Sequence, residues 1–298
     1  MTSTMNTAPA EASGNTAPSA AGVNTTPADL TSSTVEGLPF EDSARPGTAD
    51  LTVTLQGAGH PYLLLHGGAG SQSVAAFAGL LATSGPARVI TPIHPGFDGT
   101  PRPSGLDSIA ALAVLYGNLL DRLGLEDVTV VGNSIGGWIA AELALLHSPR
   151  VGATILANAV GITVPEAPVT DISGLSPDEL SRLSFHNPAP FRRDPATVPE
   201  AQLAVMAANR QTLGVYTSGG PATTDPRLRG RLAGVTTPTL VLSGESDGIV
   251  GPAYGRAFAD AIPGAEFRVL AEAGHLPQLE TPAELLAQVT AFTKSHAA

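Results

Sequence analysis

From Leu51 onward, short runs rich in Val, Leu and Ile alternate with longer stretches of helical spacing. The runs Leu51–Leu55, Tyr62–Leu65, Arg88–Thr91, Val128–Val131, Thr154–Ala157, Thr239–Ser243 and Glu266–Leu270 are predicted strands. Their near-continuous apolar character predicts a sheet covered on both faces. Between Leu106 and Leu123, apolar residues at 109, 112, 115, 116, 119, 120 and 123 keep to one helical face, a stripe that belongs to the core. Ser71–Ala82, Trp138–His147 and Glu200–Tyr216 read as further helices, and Thr281-Pro282-Ala283-Glu284 as a capped helix start. Over 298 residues this rhythm predicts one α/β domain, with a mostly parallel central sheet and helices on both faces.

The rhythm fails in two places. Residues 1–47 are dominated by Thr, Ala, Ser, Pro and Gly, and are expected to form a flexible extension to a domain over 48–298. The second break, about 158–235, is an insertion. It carries a capping box, Ser176-Pro177-Asp178-Glu179, and then the helical pattern Glu200–Tyr216.

The most informative segment is Val128–Gly137, V-T-V-V-G-N-S-I-G-G: a β-branched run, a turn built of Gly132-Asn133-Ser134-Ile135-Gly136, and then a helix former. A serine on such a turn presents its hydroxyl above the end of the sheet, where a helix N-terminus points at it. Glycines 132, 136 and 137 fit because a Cβ would collide with the neighbouring strand and helix. Ser134 is the candidate nucleophile. A serine hydroxyl needs a neutral imidazole as base and a carboxylate to hold that ring's tautomer. Past the strand 239–243, Gly244-Glu245-Ser246-Asp247 supplies the carboxylate; Asp247 is favoured over Glu245 and Glu272, since Gly248-Ile249-Val250 can pin its loop. Past the last strand, Gly274-His275 supplies the base. Of the other six histidines, His60, His66 and His94 precede the serine, His147 closes the helix behind it, His186 is in the insertion and His296 is in the tail. Acyl transfer also needs donors for the developing oxyanion. The N–H of Ile135 is one. The loop His66-Gly67-Gly68-Ala69-Gly70 supplies the other, with Gly68 preferred, Ala69 next, and His66 stabilising the loop.

H-G-G-A-G at 66–70, G-N-S-I-G-G at 132–137, G-E-S-D at 244–247 and A-G-H-L-P-Q-L-E at 273–280 together resemble the α/β-hydrolase fold superfamily over roughly residues 48–295, in its order of Ser, acid, His. The resemblance implies Ser134 as nucleophile, Asp247 as orienting acid, His275 as base, and Gly68 with Ile135 as oxyanion donors. Within the superfamily the chain looks closest to small bacterial esterases and carbon–carbon bond hydrolases with a short lid. Serine, where relatives that resolve an alkyl-enzyme ester carry aspartate, argues against haloalkane dehalogenase and epoxide hydrolase chemistry. His94-Pro95-Gly96-Phe97-Asp98-Gly99-Thr100-Pro101-Arg102 departs from the D-x-x-G-x-G-x-S of many relatives, with Asp98 read as a turn-stabilising carboxylate and Arg102 as a surface cation. The insertion, placed between nucleophile and acid, is expected to overhang the site as a helical lid, with Leu183, Phe185, Phe191 and Met206 as candidate walls of an acyl pocket.

These features predict a serine hydrolase of a small carboxylic ester working through an acyl-enzyme. Carbon–carbon (diketone) hydrolysis, acyl transfer or lyase chemistry on the same residues is the alternative, and a non-catalytic ligand receptor the third reading. The net charge of −11, from 26 acidic and 15 basic residues, speaks against nucleic-acid or anionic-membrane partners and leaves a small-molecule substrate. Arg192-Arg193 and Arg227/Arg229/Arg231 are the basic clusters, too small to change that balance. The sequence contains no cysteine, which removes disulfide and thiol chemistry. No histidine pair has ligand spacing on one helix, so neither metal nor cofactor is expected. The first residues lack the basic start and apolar run of a signal peptide, and no apolar stretch approaches about twenty residues, so a cytoplasmic location is expected.

Overall fold

The computed structural model describes residues 30–42, 45–192, 197–217 and 223–296. Its strands are β1 (Thr31–Asp42), β2 (Arg45–Gly57), β3 (His60–Leu65), β4 (Ala87–Pro92), β5 (Val128–Asn133), β6 (Val151–Ala157), β7 (Thr239–Gly244) and β8 (Glu266–Leu270). They form one sheet in the order β1-β2-β4-β3-β5-β6-β7-β8. The pairs β1/β2 and β2/β4 are antiparallel, and every later pair is parallel. The helices are α1 (Gln72–Thr83), α2 (Ile109–Arg122), α3 (Ile135–Leu145), α4 (Pro177–Ser184), α5 (Glu200–Tyr216), α6 (Leu228–Arg231), α7 (Pro252–Asp260), α8 (Pro277–Glu280) and α9 (Pro282–His296).

Alternation along the strands divides the core in two. Leu63, Leu65, Val128, Val130, Leu156 and Val241 face one way and pack with α2, α3 and α7 through Leu112, Leu119, Ile139 and Phe258. Tyr62, Leu64, Val131, Ile155, Leu240 and Leu242 face the other way and pack with α1 and α9 through Phe77, Leu81, Leu285 and Phe292. With a period of two, both sets of side chains are buried, which is why these strands read as unbroken apolar runs. Each fully buried aliphatic side chain contributes about 1.5–3 kcal/mol.

The expected extension over 1–47 is corrected. Residues 1–29 lie outside the described residues, but Thr31–Asp42 forms a strand paired with β2 along its length, and the ordered fold therefore begins before residue 48. Locally T-S-S-T-V-E-G-L-P-F-E-D is too polar to look like a strand. It is held by the β2 ladder, by burial of Leu38 and Phe40, and by Asn118 and Arg122 of α2, which donate to the carbonyls of Pro39 and Glu36.

Between β6 and β7 the chain leaves the sheet and forms α4, α5 and α6. The capping box at Ser176 is formed, with Glu179 N donating to Ser176 Oγ and Ser176 N to Glu179 Oε2. Arg231 pairs with the buried Glu142 of α3, which roots the end of the insertion on the core. Arg193 lies outside the described residues. Among the described residues no helix is long and apolar enough to cross a membrane.

Candidate active site

Strand β5 ends at Asn133 and α3 begins at Ile135, so Ser134 makes the whole reversal, with φ 57° and ψ −118°. Holding a non-glycine residue there costs about 1–3 kcal/mol and needs a surrounding structure that permits nothing else. The glycines supply that structure. A Cβ on Gly132 would lie 2.1 Å from Gly136 O, and one on Gly136 would lie 2.3 Å from Leu65 O. Ser134 N donates to Ala157 O at 3.0 Å, while Gly137 N and Trp138 N both donate to Ser134 O. The serine side chain is left partly exposed at the carboxyl edge of the parallel strands.

Asp247 and His275 meet at the same edge. His275 Nδ1 donates to Asp247 Oδ2 at 2.7 Å, and the two residues are each only 6% exposed. Asp247 Oδ1 accepts from Ile249 N at 2.8 Å and Val250 N at 3.0 Å, so the apolar pair after Gly248 does pin the carboxylate. With Nδ1 carrying the proton, Nε2 of the neutral ring keeps a free lone pair. Glu245 and Glu272 lie on exposed loops and contact each other's surroundings, Glu272 N donating to Glu245 Oε2.

Three amides missed by the sequence reading, Asn133, Gln278 and Asn158, hold the elbow and the His275 loop together. Asn133 Nδ2 donates to His275 O at 2.9 Å, and Asn133 Oδ1 accepts from Gln278 Nε2 at 3.2 Å. Asn158, at φ 47°, donates through Nδ2 to Gly274 O at 2.9 Å and accepts from Gly244 N at 2.7 Å. His275 N donates to Ser184 O at the end of α4. Among the described residues no hydrogen bond joins Ser134 Oγ to the imidazole; the link between them runs through Asn133.

The loop 66–70 lies against the serine: a Cβ on Gly67 would be 3.1 Å from Ser134 Cβ. Gly70 N donates to Gly67 O, which closes the loop, and the bonds closing the elbow end on Ser134 O. The N–H groups of Gly68 and Ile135 are left without acceptors among the described residues. Beneath the loop, His66 and His94 stack at 3.7 Å, both fully buried. His66 Nδ1 donates to Gly67 O at 2.7 Å and its Nε2 accepts from His94 N. His94 Nε2 donates to His66 O, and its Nδ1 accepts from Tyr116 Oη. Both rings are therefore neutral. Burial pushes His66 down to about 4, and burial together with the neighbouring His66 pushes His94 well below its ordinary value. His60 bonds Thr129, His147 bonds Thr236, His186 bonds Ser246 and His296 bonds the Phe292 carbonyl, all away from a relay with Ser134.

The insertion contacts both halves of the candidate site. Leu183 O accepts from Gly248 N beside Asp247, and Phe185 follows Ser184, the residue that holds His275 N. Phe185 and Phe191 stack at 4.3 Å. Met206 does not join them: it is 56% exposed on α5, one turn before the first position at which that helix is anchored. Leu213 of α5 lies against Gly68, its Cδ2 3.0 Å from where a Gly68 Cβ would stand. Asp98 turns inward to Ser71 and Asn209, and Arg102 is half-buried, donating to Leu106 O rather than standing free at the surface. Among the described residues no three His, Asp or Glu side chains gather as metal ligands.

A mostly parallel sheet, a serine on a strained strand-to-helix turn, and an Asp–His pair beyond later strands define a hydrolase architecture. The chain belongs to the Alpha/beta hydrolase family, whose profile matches residues 62–289. It is 30% identical over 237 residues to the 2-hydroxymuconate semialdehyde hydrolase of Pseudomonas putida, covering 76% of this chain and 84% of that one. It is 29% identical over 210 residues to the epoxide hydrolase EphH of Mycobacterium tuberculosis, covering 62% and 94%. Its fold matches a thermophilic esterase from Thermogutta terrifontis with a TM-score of 0.71 at 25% identity, over 89% of this chain and 100% of that one.

Proposed function

We propose that the protein is a serine hydrolase of small carboxylic esters. Ser134 Oγ attacks the carbonyl carbon and gives its proton to His275 Nε2, a hydrogen bond that the substrate complex draws tight. Asp247 holds the ring in the tautomer that leaves Nε2 free and stabilises the imidazolium. The N–H groups of Gly68 and Ile135 receive the oxyanion, each worth about 3 kcal/mol in a site closed to water. His275 then protonates the departing alkoxide, and water activated by the same ring releases the acid from Ser134. The observation that carries this reading is the 2.7 Å bond between His275 Nδ1 and Asp247 Oδ2, at the strand edge where Ser134 is presented.

A second reading is favoured by the relatives: hydrolysis of a carbon–carbon bond in a vinylogous diketone, since the 2-hydroxymuconate semialdehyde hydrolases of two Pseudomonas strains match over 76% and 79% of the chain. Serine rather than aspartate at the elbow places epoxide opening through an alkyl-enzyme ester behind both.

A fluorophosphonate probe tests the shared step. It is expected to label the wild-type protein once, at Ser134, and not to label Ser134→Ala, which should lose about five to six orders of magnitude in turnover while staying folded. Labelling elsewhere, or turnover retained by Ser134→Ala, overturns the assignment. Activated aryl esters set against dienoic diketones separate the two readings, since burst release of the aryl alcohol is expected only of an esterase.

A further inference from the structure

The second half of α5 is anchored to the loop after β4, and that anchor continues into the oxyanion loop. Asn209, Thr212 and Tyr216 fall at the spacing of one helical face. Thr212 Oγ1 donates to Gly96 O at 2.9 Å, and Tyr216 Oη to Pro95 O at 2.8 Å. Asn209, only 3% exposed, makes a two-way contact with Asp98: its Nδ2 donates to Asp98 Oδ1 at 2.9 Å, and its Oδ1 accepts from Asp98 N at 2.8 Å. The other carboxylate oxygen, Asp98 Oδ2, accepts from both Ser71 N and Ser71 Oγ at 2.7 Å. Ser71 directly follows Gly70, and a Cβ on Gly70 would stand 2.4 Å from Asp98 Oδ1 and 2.8 Å from Asn209 Nδ2. The pair is thus packed on the backbone of the loop that offers Gly68 N to the oxyanion. Burial pushes the Asp98 carboxyl up, but hydrogen bonds from Asn209 and Ser71 outweigh it and hold the group ionised below its usual range.

We propose that Asp98 and Asn209 are positioning residues that couple the seating of α5 over the site to the geometry of the oxyanion loop, so that the loop is set for acyl transfer only when α5 is docked. The proposal rests on Ser134 and Gly68 acting as described above. Ser71 belongs to the main fold and Asn209 to the insertion, and Asp98 is bonded to both. Undocking α5 removes one of the carboxylate's three hydrogen bonds and opens the two from Ser71 to water.

The direction of the four hydrogen bonds gives a decisive test. In Asp98→Asn, Ser71 fixes the remaining oxygen, so the new NH2 faces the NH2 of Asn209. In Asn209→Asp, two carboxylates face each other. In the double swap, the amide at 98 donates to the carboxylate at 209, Ser71 keeps its acceptor, and the main-chain N–H of residue 98 keeps its own. The readouts are the second-order rate of fluorophosphonate labelling, kcat and KM for p-nitrophenyl butyrate, and the thermal midpoint. Each single variant, with Asn209→Ala as a third, is expected to lose about tenfold to a hundredfold in kcat and labelling rate, with KM changed less than about threefold. The double swap is expected to recover most of that loss. Single variants with wild-type kcat, or a double swap that recovers its thermal midpoint but not its labelling rate, overturn the coupling. Ser134→Ala in the same assays separates the two levels: turnover retained there defeats the nucleophile assignment and the coupling with it, whereas an inert Ser134→Ala beside unaffected Asp98 and Asn209 variants defeats the coupling alone.

Discussion

Asn133 Nδ2 lies 2.9 Å from the main-chain oxygen of His275, so the residue just before the elbow serine carries the backbone of the proposed base. Its amide also donates to Ala157 O at 3.3 Å and accepts from Gln278. Asn133→Ala is expected to leave the protein folded, with stability lower by about 1–3 kcal/mol because buried acceptors lose their donor. Turnover should fall about tenfold to a hundredfold as the ring's position loosens. Asn133→Asp should be less stable than the alanine variant, because a carboxylate would face two carbonyl oxygens. Urea melts and steady-state kinetics check this; equal stability of the two variants would show that the amide is no donor to these carbonyls.

Asp247 has its two oxygens committed differently, Oδ1 to the N–H groups of Ile249 and Val250 and Oδ2 to His275 Nδ1. In Asp247→Asn the backbone donors keep the oxygen on their side, which turns the new NH2 toward the ring. The imidazole then accepts at Nδ1 and carries its proton on Nε2, where it cannot receive the serine proton. A loss of about ten-thousandfold in kcat is expected, as for the same change in serine proteases. A loss below about tenfold would mean that Asp247 does not set the tautomer.

Seven strands and the placing of Ser134, Asp247 and His275 just beyond strand ends were legible because each depends on local signals: an unbroken apolar run, and short motifs that follow it. Strand β1 was not, because only Leu38 and Phe40 are well buried in a polar segment whose order comes from β2 and α2. Asn133, Asn158, Gln278 and Asn209 were not legible either. Their partners lie 142, 116, 145 and 111 positions away, and an isolated amide in a sequence looks the same whether it faces solvent or a buried carbonyl. Met206, one of the expected pocket walls, is 56% exposed on α5, and apolar character alone does not disclose how far a side chain is covered.

The stacked pair His66 and His94 predicts loss of stability in mild acid. Burial holds His66 at about 4 against an ordinary 6.5, and His94 is also lowered, so both are neutral in the folded protein while the unfolded chain takes up their protons. Their contribution is therefore full above pH 6.5 and is lost as the pH falls through that value, reaching about 3 kcal/mol for His66 alone near pH 4. Chemical denaturation between pH 7.5 and 4.5 should show this decline, and His66→Asn/His94→Gln, weaker at neutral pH, should show a flatter one. Parallel slopes would place the acid sensitivity elsewhere.

Two glycines should respond to alanine in opposite ways. At Gly136 a Cβ would meet Leu65 O at 2.3 Å and His66 O at 2.7 Å, main-chain atoms of the central sheet and the loop 66–70 that cannot move aside. Gly136→Ala is expected to lose about 3 kcal/mol or more, at the upper end of overpacking. Gly214 lies inside α5 with nothing within 4 Å of an added Cβ and no positive φ. Gly214→Ala should therefore stabilise that helix by about 0.5–1 kcal/mol, the ordinary cost of glycine in a helix interior. Where that gain is read distinguishes two behaviours of the insertion. If α5 unfolds together with the sheet, the midpoint of thermal melting should rise by about 2 °C. If α5 opens first, the midpoint should stay put, and amide exchange along α5 should slow instead. Neither a higher midpoint nor slower exchange would mean that Gly214 is not held in the helix.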